Sequence, residues 1–199
     1  MRIRHPGAWI AAAIFIIVLF QLVFVLRVFD KSTKHSENHP PYPAEYGVQL
    51  FEDEVAVFSA ADRHVQSGVT VQYNSNPPTN GKHSGGAAPW GISEEPVARE
   101  LAVHNMEHGG VVIWYNCDGG PQPLDEPACD RLLEDLTGVV DPRVDDGLYI
   151  VVTPYSEMEN RIALTAWQYL DAFDEFDADR VEAFIASFEC KFDPENACR

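Results

Sequence analysis

The second half of the chain alternates between apolar runs and segments with helical spacing. Val111–Tyr115 is a continuous run of β-branched and aromatic residues, which predicts a buried strand. Residues 148–152 and 162–167 predict two further strands. Between the first two of these strands, Pro127 suits the first turn of a helix and Gly138 suits its end.

A last helix is predicted from Asp177, whose carboxylate suits the N-cap position. Its apolar residues recur at i, i+3, i+4 and i+7: Val181, Phe184, Ile185 and Phe188. The order strand, helix, strand, strand, helix predicts an α/β or α+β two-layer domain with a small mixed sheet. A thioredoxin-like arrangement is one candidate within this class, although the chain contains no Cys-x-x-Cys motif to carry that chemistry.

The first half of the soluble part is less regular. Residues 69–73 alternate as a short strand would, and residues 74–96 form a long irregular stretch rich in Gly and Pro. Loops of this length inside a compact domain are often functional. Residues 97–108 fit either a helix or an extended segment, and both alternatives matter for the chemistry considered below.

Residues 8–26 are apolar apart from Gln21 and are long enough to span a bilayer. Bulky residues follow this stretch, where a cleaved signal peptide would have small ones, so a retained transmembrane helix is predicted. We therefore expect an N-terminal anchor over residues 1–29, an extended stalk over residues 30–47, and a globular domain over residues 48–199.

The charge of the chain excludes one large class of partner. The sequence contains 14 Lys and Arg residues against 31 Asp and Glu residues, for a formal net charge of −17 and a pI near 4.6. A phosphate backbone would be repelled, so nucleic-acid binding is not expected. The same negative field raises the local concentration of cations.

The cysteines indicate the compartment. All four lie after the predicted anchor, and an even number of cysteines in a compact domain is typical of an oxidising environment. The predicted localisation is the cell membrane, as a single-pass protein with the C-terminal domain extracytoplasmic. Four cysteines permit three pairings, and we favour Cys117 with Cys129 and Cys190 with Cys198 because each pair brackets a short loop.

Four of the seven histidines lie in the globular part, and they carry the main chemical hypothesis. His104 and His108 are four residues apart, so a helix places both imidazoles on one face, as in many metal sites. An extended segment instead places Met106 on the same side as both histidines, and its thioether favours copper. The sequence therefore predicts a transition-metal site, with copper preferred and zinc as the alternative. The predicted ligands are His83, His104 and His108, with Met106 and His64 as helpers.

Two other functions stay open at this stage. The segment His104-Asn-Met-Glu107-His108 matches the H-x-x-E-H pattern of a zinc-dependent hydrolase, in which Glu107 would act as the general base. The third alternative is a structural or partner-binding envelope domain that binds no metal. We prefer a metal-binding module without turnover, because Gly109 and Gly110 end any helix that starts before them and the peptidase pattern needs a longer helix. The identity of any protein partner is not predicted.

Three segments of the chain resemble a known family. They are residues 64–83 (HVQSGVTVQYNSNPPTNGKH), 103–117 (VHNMEHGGVVIWYNC) and 161–185 (RIALTAWQYLDAFDEFDADRVEAFI). Together they resemble DUF3105, a family of membrane-anchored bacterial domains of unknown function. Three positions differ from the pattern more usual in that family: Asn80, Lys82 and Met106. The resemblance implies an anchored domain and no particular activity.

Overall fold

The computed structural model describes residues 38–52, 63–193 and 197–198. Within these residues the strands are β1 (Gln49–Leu50), β2 (His64–Val65), β3 (His83–Ser84), β4 (Gly91–Ile92), β5 (Val111–Tyr115), β6 (Ile150–Pro154), β7 (Ile162–Ala166) and β8 (Tyr169–Phe173). The α-helices are α1 (Arg99–Glu107), α2 (Glu126–Asp145) and α3 (Ala178–Phe188), and Ala44–Tyr46 forms a 3-10 helix.

Six of the strands form one mixed sheet in the order β1-β8-β7-β5-β6-β4. Strands β4, β6 and β5 run parallel, whereas β7, β8 and β1 add antiparallel pairs. The parallel pair β5–β6 is joined by α2, since parallel neighbours need a long crossover connection. Strands β2 and β3 form a separate parallel pair outside this sheet.

The sheet is covered on both faces. Alternate residues of β5 point to opposite sides: Val111 and Ile113 pack with α2 and α3, whereas Val112 and Trp114 pack with α1. All five residues of β5 are buried for this reason. The domain therefore has three layers, and α1 lies on the opposite face from the other two helices.

This architecture corrects the predicted fold class. A two-layer domain would leave one face of the sheet in water, but the unbroken apolar run of β5 requires cover on both faces. The sheet has six strands instead of being small, and the thioredoxin-like arrangement is set aside together with the two-layer interpretation.

The prediction of a transmembrane helix in front of the domain is also corrected. Among the helices that the structure describes, none combines the length and apolar character needed to cross a membrane. The predicted span, residues 8–26, lies outside the described residues. The predicted single-pass membrane localisation therefore has no support among the described helices.

Local sequence signals predicted most helices and strands of the second half of the chain correctly. Asp177 accepts a hydrogen bond from the Arg180 amide at 3.1 Å, which confirms it as the N-cap of α3. Helix α2 has Pro127 in its first turn, as predicted, but continues past Gly138 to Asp145. Burial of Val139 and Val140 under the sheet outweighs the cost of about 1 kcal/mol for a helical glycine. The predicted strand at residues 69–73 is wrong, because that segment is irregular.

The end of the predicted stalk packs on the domain. Tyr42 donates a hydrogen bond to the buried carboxylate of Asp171 at 2.5 Å, and the Arg180 guanidinium binds the same carboxylate. Burial of the phenol, followed by the neighbouring carboxylate, raises the pKa of Tyr42. This contact fixes the chain at Tyr42 to α3 and β8.

Both predicted disulfides are confirmed. Cys117 pairs with Cys129, and Cys190 pairs with Cys198, with Cα atoms 5.5 and 5.9 Å apart. The first bridge joins the end of β5 to the start of α2, on the face of the sheet that carries α2 and α3. The second closes a loop that follows α3.

Replacing both Cys117 and Cys129 with Ser should lower the free energy of unfolding by about 3 kcal/mol, because the bridge restricts the unfolded chain. The measurement is urea unfolding of wild type and variant at equal protein concentration. An unchanged unfolding midpoint with an unchanged slope would show that this bridge contributes nothing to stability.

Candidate metal centre

The parallel pairing of β2 and β3 brings two histidines together. His64 and His83 are direct partners in the register of this pair, although they are far apart in sequence. Their rings lie 5.1 Å apart between centroids. Because each strand has only two residues, the pairing defines the position of these side chains and contributes little to the core.

Hydrogen bonds hold the loop before His83 in place. Thr79 and Asn80 are almost completely buried, and the Asn80 amide donates to the Phe51 carbonyl and to the Thr79 hydroxyl, each at 2.9 Å. The Thr79 carbonyl accepts a hydrogen bond from the Gln168 amide in the turn between β7 and β8. The loop that carries His83 is therefore attached to the main sheet.

Helix α1 supplies the other half of the site. His104 and Glu107 are three residues apart and share a face of the helix. The helix ends at His108, where Gly109 adopts a φ of 83° and the Gly109 and Gly110 amides bond back to carbonyls of the last turn. This left-handed glycine confirms the predicted helix end and excludes the extended alternative for this segment.

Asn105 fixes the helix to the preceding loop. Its side-chain amide donates to the Ala88 carbonyl at 2.9 Å, and its side-chain oxygen accepts from the Ala88 amide at 2.7 Å. Asn105 is fully buried, so this double hydrogen bond satisfies a polar side chain that would otherwise destabilise the interior.

His64, His83, His104 and Glu107 form one compact group, called here the His/Glu cluster. One ligand atom from each residue can be chosen so that all four lie within 4.8 Å of one another. The three imidazole rings are nearly equidistant, with centroids 5.1, 5.3 and 5.3 Å apart. Imidazole nitrogens and a carboxylate are ordinary ligands of transition metals, so the group can hold a metal ion.

Glu107 lies at the centre of this cluster. Its carboxylate is 2.8 Å from His83 Nε2, 3.6 Å from Arg63 Nε and 3.7 Å from His64 Nε2, and the residue is 2% exposed. Burial acts to raise the pKa of Glu107, but the hydrogen bond and charge of His83, with Arg63 and His64, hold that pKa below its usual range. Glu107 is therefore an ionised carboxylate facing three nitrogen groups.

The orientation of His83 follows from its neighbours. Its Nδ1 lies 2.8 Å from the Gly81 carbonyl, which can only accept, so Nδ1 carries a hydrogen. Nε2 then points at Glu107, and the ring is nearly perpendicular to that of Trp167, with centroids 6.1 Å apart. A backbone carbonyl that fixes one imidazole nitrogen and leaves the other for a metal is a recurrent feature of metal-binding histidines.

His104 is oriented from the other side. Its Nε2 lies 3.0 Å from His108 Nε2, a distance at which one ring donates to the other, while its buried Nδ1 has no hydrogen-bond partner among the described residues. Burial, followed by the nearby His108 and His83, lowers the pKa of His104 to about 4. The imidazole is therefore neutral near pH 7, as metal ligation requires.

His64 is the solvent-facing member of the cluster. Its side chain is 31% exposed, whereas the other three members are buried. Its Nε2 has no hydrogen-bond partner in the described part of the chain. An ion entering from solvent would meet His64 before the buried ligands.

The structure unites some of the predicted site residues and separates others. His64, His83 and His104 meet, and His108 bonds to His104 from outside the cluster. Met106 lies in the apolar core between α1 and the sheet, fully buried. The argument that the Met106 thioether favours copper requires an extended segment. Because Arg99–Glu107 is helical, that argument no longer applies.

Sequence reasoning missed two participants. The sequence predicts Glu107 only as the general base of the hydrolase alternative, and it predicts no role for Arg63. The neighbouring H-x-x-E spacing could have placed Glu107 beside His104 on a helix. Arg63 has no such signal, because its 2% exposure and its position over Trp167, 4.9 Å from the ring centroid, are set by distant residues.

The stability of the metal-free protein should fall as the pH decreases from about 6.5 to about 4. In this window the unfolded chain protonates His104 and the folded chain does not, because the folded pKa is lowered to about 4, so acid favours unfolding. His104→Asn should reduce this loss by up to about 3 kcal/mol. Urea unfolding in the presence of a chelator, compared with His39→Asn outside the cluster, measures the effect; equal pH slopes for all three proteins would contradict it.

The comparisons with known proteins agree with the resemblance seen in the sequence. The family model of DUF3105, described as a protein of unknown function, matches residues 64–199, which is more than half of the chain and includes the whole His/Glu cluster. No curated protein and no solved structure matches. The membrane anchor associated with the family is not confirmed. By the extent of this match, the chain belongs to the DUF3105 family of proteins of unknown function.

Proposed function

We propose that this domain binds a divalent transition-metal ion through His64, His83, His104 and Glu107. The observation that carries the proposal is the convergence of four ligand atoms within 4.8 Å, contributed by three separate segments of the chain. Metal–nitrogen bonds of about 2.0–2.1 Å need a somewhat tighter group. A side-chain rotation of His64, whose side chain is 31% exposed, can supply that adjustment.

Two ring nitrogens support metal binding over a purely structural polar network. A structural network satisfies its buried donors and acceptors, and an unsatisfied one costs about 1–3 kcal/mol. His64 Nε2 and His104 Nδ1 are both buried atoms without a hydrogen-bond partner in the described residues. A metal ion between them would satisfy both nitrogens at once.

The donor set narrows the class of metal. Three imidazoles and one carboxylate suit intermediate divalent ions such as Zn(II), whereas Mg(II) and Ca(II) prefer oxygen ligands and Cu(I) prefers sulfur. Because Met106 lies in the core, we propose Zn(II) or a chemically similar divalent ion in place of reduced copper. The net charge of −17 adds a general attraction for cations.

The proposed role is binding, without a reaction. In the hydrolase alternative, His104 and His108 would both be ligands and Glu107 would be free to activate water. Instead, the Glu107 carboxylate contacts His83 and Arg63, and His108 contacts His104. No observation in the described residues favours hydrolysis, so we do not propose it.

Metal titration of the purified full chain tests the proposal. After treatment with a chelator, the wild type should bind one Zn(II) per chain in competition with a chelator of known affinity. His64→Asn and His104→Asn should each weaken binding more than about a hundredfold, because each removes a ligand. His108→Asn should have a smaller effect, of about tenfold, because it only orients His104.

His39→Asn is the matched control, because His39 lies outside the His/Glu cluster, and it should bind as tightly as the wild type. Parallel titrations with Cu(II) and Cu(I) rank the metals. Equal Zn(II) affinity for the wild type, His64→Asn and His104→Asn, or no binding by any of them, would refute the proposed site. The structural or partner-binding alternative would then be preferred.

Zn(II) binding must displace the contact between His83 Nε2 and the Glu107 carboxylate, which lie 2.8 Å apart. His83→Gln removes this ligand nitrogen and should weaken Zn(II) binding in the same chelator competition. Wild-type affinity in His83→Gln would contradict the assigned ligand set.

A further inference from the structure

Cys190 and Cys198, the two residues of the second disulfide, pack on the end of α1. The Cys190 amide donates to the Gly109 carbonyl at 2.7 Å, directly after the last turn of the helix that carries His104 and Glu107. A Cβ atom placed on Gly109 would lie 2.6 Å from Cys198 Sγ. The disulfide therefore sits against the backbone of the helix end, with no side chain between them.

Phe192, which lies between these cysteines in the sequence, provides a second route to the cluster. Its ring stacks on Trp167 with centroids 4.9 Å apart and planes 5° from parallel. The indole of Trp167 in turn contacts the His83 ring, nearly at right angles, and lies under the guanidinium of Arg63. Cys190 and Cys198 thus contact the end of the helix that carries His104 and Glu107, while Phe192 contacts the aromatic ring beside His83.

Hydrogen bonds keep the ends of the loop between these cysteines in place. The Asp193 carboxylate accepts from the Ala197 and Cys198 amides, each at 2.8 Å, and Tyr149 donates to the Ala197 carbonyl at 3.0 Å. These contacts are weak one by one, and the covalent bridge is the element that brings Cys198 back to Cys190. Opening the bridge would free the return segment from the helix end.

We propose that the Cys190–Cys198 disulfide controls the metal affinity of the His/Glu cluster, so that its reduction by a dithiol weakens binding. In that step the S–S bond breaks, two electrons and two protons from the dithiol produce two cysteine thiols, and the dithiol becomes a cyclic disulfide. The loop then loses its closure, and the segments that hold His104, Glu107 and His83 lose their support. This inference rests on the proposed metal binding and adds its regulation.

The second disulfide provides a matched control within the same chain. Cys117–Cys129 also closes a short loop and is also half-buried, but it packs on the face of the sheet that carries α2 and α3. The cluster lies with α1 on the other face. Loss of Cys117–Cys129 should therefore lower global stability without a specific effect on the metal site.

The test compares Zn(II) affinity by chelator competition for the full chain in three disulfide states: wild type, Cys190→Ser with Cys198→Ser, and Cys117→Ser with Cys129→Ser. Circular dichroism gives the folded fraction for each. The Cys190/Cys198 pair of substitutions should weaken Zn(II) binding about 10- to 100-fold, as for other groups that orient metal ligands, while the control pair should stay within about threefold of the wild type. Phe192→Ala keeps both bridges and should weaken binding in the same direction.

Each outcome decides the question. If the wild type binds Zn(II) and the Cys190/Cys198 variant binds equally or more tightly, the regulation is refuted and the metal site stands. Equal weakening by both pairs of substitutions refutes it too, because the effect would then be a general loss of stability. If the Cys190/Cys198 variant does not fold, Phe192→Ala decides, and wild-type affinity in that variant refutes the proposal. A wild type that binds no Zn(II) overturns the proposed function together with this inference.

Discussion

Burying a carboxylate costs several kcal/mol unless cations or hydrogen-bond donors compensate it, and Glu107 is 2% exposed. The arrangement around Glu107 meets that requirement. Arg63 and His83 face its two oxygens, and His64 approaches from the solvent side. Because these partners come from elements distant in sequence, satisfying one charge also sets the relative positions of β2, β3 and α1.

Particular neighbouring groups orient the buried histidines of the cluster. Gly81 fixes one nitrogen of His83, His108 fixes one nitrogen of His104, and Trp167 contacts both His83 and the guanidinium of Arg63. Partners of this kind hold a ligand in a single orientation before an ion arrives. His64 Nε2 and His104 Nδ1 are buried without a hydrogen-bond partner among the described residues, which is unusual in an ordinary polar core.

The two faces of the main sheet carry different kinds of side chains. The face of the sheet that carries α2 and α3 forms the larger apolar core, with the ion pair of Arg180 and the buried Asp171 beside it, and the Cys117–Cys129 disulfide lies there. The face that carries α1 combines a smaller apolar core with the His/Glu cluster and the loop after α3. The Cys117–Cys129 disulfide and the His/Glu cluster thus lie on opposite faces of one sheet. Substitutions on one face can therefore serve as controls for substitutions on the other.

The sequence by itself determined the features that depend on neighbours along the chain. The strand at Val111–Tyr115, the cap at Asp177, the helix end at Gly109 and both short disulfide loops follow from local spacing and residue type, and all are confirmed. The concentration of histidines in the domain also predicted a group of side chains able to hold a metal ion, and the structure contains such a group in the His/Glu cluster.

Tertiary structure alone decided which residues meet. The partnership of His64 with His83 depends on two strands of two residues each, too short to produce a periodic pattern, and Arg63 is placed by contacts with distant side chains. Local sequence allowed residues 97–108 to be helical or extended, and packing against the sheet selected the helix that buries Met106 and directs Glu107 into the cluster. These choices depend on long-range burial, and a single sequence does not display the energy of contacts between segments far apart along the chain.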